Sequence, residues 1–169
     1  MSNLKRNLKL QRLTVVSAAV AALTFTTFGV SNAQTHGHEA EATTGLVLNH
    51  GSKWETDAPL RTGMSRIRTL VEPQLAAADA GKLDSAQFTA LAGQIEGEVG
   101  GIVANCKLEP EADAVLHVVV GEILSGTEAM AGKSAKQRPE QGLVKVANAI
   151  NGYAGHFDHP DFVPITSIH

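Results

Sequence analysis

The chain has 169 residues, of which 17 are acidic and 14 basic, with a formal net charge of −3 at pH 7. This length suits one domain with one hydrophobic core. Binding to nucleic acid needs a basic patch and none occurs in the sequence, which excludes a nucleic-acid partner. The single cysteine, Cys106, excludes an internal disulfide.

Residues 1–33 have the layout of a secretory signal peptide. Four basic residues precede an uncharged apolar stretch at 13–30, and the small residues Ser31 and Ala33 follow it. The stretch is nearly long enough to span a bilayer, so an uncleaved anchor is the alternative, but the polar run after it favours cleavage. We therefore expect a periplasmic or otherwise exported protein without a membrane span. Its 136 remaining residues would carry a net charge of −7, because the four lost charges are all basic.

Residues 34–56 are mostly polar and predict a flexible N-terminal arm, in which an apolar run at 46–48 and Trp54 could lie over the rest of the protein. The first helix is expected over residues 60–78, where apolar residues recur every three or four positions. Asp57 is its predicted N-cap. A second helix is predicted to begin after Asp84, with an apolar stripe that ends at Cys106 and places the thiol on the buried seam.

Pro110 and Pro139 begin the third and fourth predicted helices, since proline is tolerated in a first turn. Only short links separate the four helices, which favours antiparallel neighbours. The sequence therefore predicts an all-α fold, an antiparallel up-down-up-down four-helix bundle over residues 57–158. The tail at 159–169 is expected to be irregular, because Pro160 stops the last helix.

Glycine recurs every fourth residue in the second helix, at Gly93, Gly97 and Gly101, with Gly100 beside them. Each costs up to about 1 kcal/mol relative to alanine inside a helix, so a compensating role is expected. Close approach of a neighbouring helix is the favoured explanation. There are two alternatives. The glycines could leave space for a flat ligand between helices, or this glycine face could form the interface of a homodimer.

The antiparallel order places five chemically distinctive residues at one end of the bundle. These are Met64, Cys106, His117, Tyr153 and His156. Thiolate, thioether and imidazole are ligands that copper(I) and other soft ions prefer. The sequence thus predicts a copper site formed by Met64, Cys106 and His117, with or without His156. Each of these four residues also has a simpler interpretation. Met64 and Cys106 could simply fill the core, and His117 and His156 could be solvated histidines.

A second metal site is predicted at the mature N-terminus. Cleavage after Ala33 leaves the sequence Gln34-Thr35-His36, in which the amine, two backbone amides and the His36 imidazole can bind copper(II) or nickel(II) in a square plane. Cyclisation of Gln34 would remove that amine and the site with it.

The predicted protein is an exported, acidic four-helix bundle, with Met64 early in its first helix and His156 at the end of its last. In these features it resembles the cytochrome b562 and cytochrome c-prime group. The resemblance covers about a hundred residues as architecture and spacing. In the b562 type it implies non-covalent haem b, with Met64 and His156 as axial ligands and the glycine face making room for the porphyrin. The chain lacks Cys-x-x-Cys-His, which excludes covalent c-type attachment.

The sequence contains no motif typical of catalysis, neither Gly-x-Ser-x-Gly nor His-Glu-x-x-His nor a phosphate-binding loop, so we expect no enzyme. Three classes of function remain. The first is a periplasmic metal-binding protein, with copper as the preferred ion. The second is a b-type electron-transfer cytochrome, and the third is a cofactor-free structural or interaction bundle.

Overall fold

A computed structural model describes residues 45–166 of the chain. This part is all-α, as predicted, and its only β interactions are two isolated bridges. None of its helices combines the length and apolar composition needed to cross a bilayer. The predicted signal peptide and His36 lie outside the described residues. The helices are α1 (Ala58–Asp79), α2 (Ser85–Asn105), α3 (Pro110–Met130) and α4 (Pro139–His156).

Side-chain caps fix where the first two helices begin. The carboxylate of Asp57 accepts a hydrogen bond from the Leu60 amide at 2.9 Å, which satisfies one of the unpaired N–H groups of the first turn. Asp84 and Gln87 form a reciprocal capping box at the start of α2. Asp57 also accepts from the backbone amide of Lys107 at 2.6 Å, so the start of α1 is held against the link between α2 and α3.

α2 ends one residue earlier than its apolar stripe predicts. The backbone of Cys106 is extended, with φ −73° and ψ 146°, and this residue is the C-cap of α2. Its side chain is only partly buried. The thiol therefore lies at the edge of the core, partly buried against it, because the chain has left the helix when it reaches Cys106.

The four helices bury their apolar stripes against one another. Each helix packs against the next one along the chain, and α1 also packs against α4, as expected for a four-helix bundle. The side chains in the centre are large and closely packed, which is the main source of stability in a domain of this size. The largest fully buried ones are Tyr153, Phe88, Phe157, Leu60, Met64, Ile67, Ile95, Ile102, Ile123, Met130, Leu143 and Ile150.

The glycines of α2 do not mediate helix packing. Gly93, Gly97, Gly100 and Gly101 are all exposed, and a Cβ added at any of them would meet no atom within 4 Å. The favoured explanation, close approach of a neighbouring helix, is thus wrong for this face within the chain.

Close helix approach occurs instead at three buried glycines elsewhere in the bundle. Gly63 of α1 lies against the side chain of Ile102 in α2. Gly126 of α3 and Gly142 of α4 face each other, and a Cβ on Gly142 would lie 2.5 Å from the carbonyl oxygen of Gly126. The backbones of α3 and α4 touch at this point because neither residue has a side chain.

Two terminal segments, residues 46–56 and 157–166, pack on the end of the bundle where α4 ends. The backbone of Trp54 donates to the carbonyl of His156 and accepts from the amide of Asp158, both at 2.8 Å. Leu46 and Trp54 pack against the core, whereas Val47 and Leu48 remain exposed. The described part of the predicted arm is thus tied to α4 by hydrogen bonds and apolar contacts.

Candidate metal site

Cys106 and His117 line the same surface pocket, which has a volume of about 190 Å³. We call it the Cys106 pocket. Cys106 is brought there by the end of α2, and His117 stands two turns into α3, directly after the short link between these helices. Most of the lining is apolar, with one carboxylate. The remaining lining residues are Ile102, Val103, Asp113, Leu116 and Val120.

The orientation of the His117 imidazole suits metal binding. Its Nδ1 lies 2.8 Å from the backbone carbonyl oxygen of Asp113, one turn earlier in α3. A carbonyl only accepts, so Nδ1 carries the proton and donates it, which leaves Nε2 as the nitrogen able to bind a metal. The side chain is 69% exposed, so an ion can reach it from solvent. Asp113 therefore orients the predicted ligand in the way that metal-binding histidines are usually held.

The thiol of Cys106 is protonated near neutral pH. Partial burial raises its pKa above the ordinary value, and the nearby carboxylates of Asp57 and Asp113 raise it further because they oppose a negative sulfur. A thiol of this kind is a poor nucleophile. The same carboxylates would favour a bound cation, so a metal ion that displaces the proton meets a favourable field.

The structure places the other predicted ligands differently. Met64 is 0% exposed within the hydrophobic core and is not among the residues that line the Cys106 pocket. His156 is half-buried at the end of α4, and its Nδ1 lies 2.8 Å from the carbonyl oxygen of Gly152. The structure thus brings Cys106 and His117 to one pocket and leaves Met64 in the core. Within residues 45–166, no three histidine, cysteine or acidic side chains converge as a metal centre.

A second polar cluster lies beside α4 and was not anticipated from the sequence. The hydroxyl of Tyr153 lies 2.9 Å from Nδ1 of His159, and Nε2 of His159 lies 3.4 Å from the hydroxyl of Ser65. Tyr153 also stacks on Phe157 and meets the edge of Phe162. This cluster fastens the C-terminal segment to the bundle.

Helical periodicity gives no information about residue 159, since the chain has left α4. The one sequence signal was a histidine six residues after a tyrosine that belongs to the apolar seam. That signal is too weak to predict contact, because it does not fix the path of the chain after Phe157.

His159 should make stability depend on pH. Burial lowers its pKa below the ordinary value of 6.5, Arg61 lowers it further, and Asp158 acts in the opposite direction. The unfolded chain then binds a proton at a higher pH than the folded one, so acidification through about pH 6.5 favours unfolding. Urea unfolding between about pH 8 and pH 5.5 should show the free energy of unfolding falling, and falling less in His159→Gln. An equal slope in both proteins would contradict this account.

No family model, no curated protein and no solved structure matches this chain.

Proposed function

We propose that the protein is an exported copper-binding protein, with Cys106 and His117 as its principal ligands. The observation that carries this proposal is that both side chains line one pocket, with His117 held so that Nε2 is available. Thiolate and imidazole are suitable donors for copper(I), and a soft ion accepts a site with few ligands more readily than calcium or magnesium does. Periplasmic export follows from the predicted signal peptide at residues 1–33.

The bundle proposed here is antiparallel, with up-down-up-down order. Support comes from hydrogen bonds that join helix ends distant in sequence. Asp57 at the start of α1 contacts Lys107 between α2 and α3. Trp54, just before α1, contacts His156 at the end of α4. With these ends together, Cys106 and the start of α3 lie at the same end of the bundle as the N-terminus of α1.

Two protein donors are enough for copper(I) to bind at the Cys106 pocket. Apolar side chains of Ile102, Leu116 and Val120 form much of its lining and would shield a Cu–S bond from water. Met64, predicted as the third ligand, would have to leave the core to join them. We therefore assign Met64 to packing and expect Met64→Leu to bind copper(I) as tightly as the wild type.

The test is anaerobic titration of the purified mature protein with copper(I) in competition with a chromophoric chelator. We expect one copper(I) per chain, with affinity reduced about 100-fold or more in Cys106→Ala and about 10-fold or more in His117→Ala. His156→Ala, which changes a histidine outside the pocket, is the matched control and should retain wild-type affinity. Copper(I) binding unaffected by Cys106→Ala, or no binding, would refute the proposal.

The His36 site is a separate proposal with its own ion. It would take copper(II) or nickel(II) through backbone nitrogens, so it persists in Cys106→Ala and disappears in His36→Ala. Titration with copper(II) and a visible spectrum separates it from the Cys106 pocket, because a square-planar nitrogen site has its own d–d absorption.

A b-type haem protein is the second candidate. It is favoured by His156, whose Nδ1 contact with Gly152 leaves Nε2 available as an axial ligand. Met64 would be the other ligand, but its complete burial means that haem must displace core side chains. A Soret band that appears on haem titration and is lost in both Met64→Leu and His156→Ala would establish this function.

A dimerising bundle without a cofactor is the third candidate. Its support is the exposed glycine face of α2, where Gly93, Gly97, Gly100 and Gly101 leave the helix backbone open to a second copy. Sedimentation equilibrium of the wild type and of Gly97→Glu would show whether this face joins two copies.

A further inference from the structure

Residues 159–166 lie across α1 and α4 and are fastened to both helices. Nε of Arg68 in α1 donates to the carbonyl oxygen of Val163 at 2.6 Å. In α4, the side-chain amide of Asn151 donates to the carbonyl oxygen of Ile165 at 2.8 Å and accepts from the backbone amide of the same residue at 2.7 Å. Backbone and side-chain amides do not titrate, and a guanidinium keeps its charge in proteins. The attachments to Arg68 and Asn151 are therefore independent of pH.

The contact between Tyr153 and His159 is different, because its donor and acceptor depend on protonation. The Tyr153 side chain is fully buried, and among residues 45–166 its hydroxyl has one hydrogen-bond partner, Nδ1 of His159 at 2.9 Å. Burial raises the pKa of Tyr153, so the phenol keeps its proton. That buried proton needs an acceptor, and Nδ1 of a neutral imidazole can accept it. The ring proton of His159 is then on Nε2, which lies 3.4 Å from the exposed hydroxyl of Ser65.

Protonation of His159 removes this acceptor. Both nitrogens of an imidazolium donate, so the new proton on Nδ1 would point at the phenol proton of Tyr153. The hydroxyl can turn and accept from Nδ1, but its own O–H then has no acceptor among residues 45–166. Leaving a buried donor unpaired costs the full desolvation of that group. A His159 that has left the bundle binds the proton in water without this cost.

The charged groups around the pair also disfavour the imidazolium. Burial lowers the pKa of His159 below its ordinary value, Arg61 of α1 lowers it further, and Asp158, the preceding residue, raises it. Asp57 at the start of α1 acts with Asp158 to hold the phenol proton of Tyr153, and Arg61 opposes them. Once released, His159 titrates near its ordinary pKa of about 6.5. The fastened state is thus fully favoured above about pH 6.5 and loses stability as the pH falls below it.

We propose that residues 159–166 form a latch that acid releases, with His159 as its trigger. At neutral pH the imidazole accepts from Tyr153 and holds the latch closed over α1 and α4. In acid the imidazolium breaks this contact, and the latch leaves both helices while the four-helix bundle stays folded. Release uncovers the ring of Tyr153 and the apolar surface against which Phe162 and Ile165 pack. Return to neutral pH closes the latch again.

The test is amide hydrogen exchange of the metal-free mature protein, followed by NMR from about pH 8 to about pH 5 and corrected for intrinsic exchange rates. The Ile165 amide reports release because it donates to Asn151, whereas amides inside the four helices report global unfolding. We expect the equilibrium constant for opening at Ile165 to be about 10-fold or more above that of the helix interiors. It should rise about 5-fold or more from pH 8 to pH 5.

Two variants identify the trigger. His159→Gln cannot gain a charge, so opening at Ile165 should no longer increase in acid. His50→Asn is the matched control, because it removes an exposed histidine whose φ of 49° asparagine also tolerates, and it should keep the wild-type response. An equal increase in His159→Gln and the wild type would overturn the proposal. So would exchange at Ile165 that is as slow as in the helix interiors, because the latch would then open only when the bundle unfolds.

The ¹⁵N chemical shifts of the imidazole test the hydrogen-bond argument on the wild-type chain alone. At about pH 8 we expect His159 as the Nε2–H tautomer, with Nδ1 unprotonated because it accepts from Tyr153. A proton on Nδ1 at that pH would overturn the proposal, since Nδ1 would already donate to the phenol and acid would break no contact. These experiments contain no copper, so their outcome is independent of the copper proposal.

Discussion

Gly142→Ala is expected to lower the free energy of unfolding by about 1–3 kcal/mol, although alanine is the better helix former. The added Cβ would lie 2.5 Å from the carbonyl oxygen of Gly126 and 2.7 Å from the amide nitrogen of Met130. Both obstacles are backbone atoms of α3, so no change of rotamer relieves the clash. α3 and α4 would have to move apart, and the core between them would lose close contacts.

Gly97→Ala provides the matched control in α2. It introduces the same methyl group inside a helix, but the new Cβ meets no atom within 4 Å. The better helix propensity of alanine should then raise the free energy of unfolding by up to about 1 kcal/mol. Urea unfolding followed by far-UV circular dichroism measures both proteins. Gly142→Ala as stable as Gly97→Ala would show that α3 and α4 are not in backbone contact.

The four helices were predictable because their starts and stripes are encoded locally. Asp57 and Asp84 cap the helices as expected, and proline opens α3 and α4. The glycine face was misinterpreted although a signal was present. Gly93 and Gly97 lie on the side of α2 opposite its apolar stripe, so helical geometry alone would have placed them in solvent. The same criterion, position relative to the apolar stripe, would have placed Gly142 at a contact between helices, because it is next to the stripe residue Leu143.

The candidate metal site was predictable only in part. Cys106 and His117 are eleven positions apart across a very short link, so their proximity follows from local chain geometry. The proposed antiparallel order puts Met64 at the same end of the bundle, but position along the bundle axis does not determine how deeply a side chain is buried. Depth is decided by which face of α1 packs inward, and Met64 belongs to that buried stripe.

Substitution of Tyr153, in the aromatic cluster at the end of α4, is expected to have the second large effect on stability. Tyr153 is completely buried, with its ring 5.1 Å from that of Phe157 and 5.2 Å from that of Phe162. Tyr153→Ala should therefore lower the free energy of unfolding by about 3–5 kcal/mol, through the lost burial and the cavity left behind. Tyr153→Phe keeps the ring and removes only the hydrogen bond to His159, for which we expect a loss of about 0.5–1.5 kcal/mol.

Two probes separate local release of the terminal segments from global unfolding. Trp54 is the only tryptophan of the chain, and its backbone is bonded to both ends of the turn from His156 to Asp158. Its fluorescence reports the terminal segments, whereas far-UV circular dichroism reports the four helices. In Tyr153→Ala the fluorescence transition should precede the dichroism transition in urea, because the C-terminal segment loses the ring against which Phe162 packs. Coincident transitions, with a destabilisation no larger than that of Tyr153→Phe, would mean that Tyr153 acts mainly through its hydroxyl.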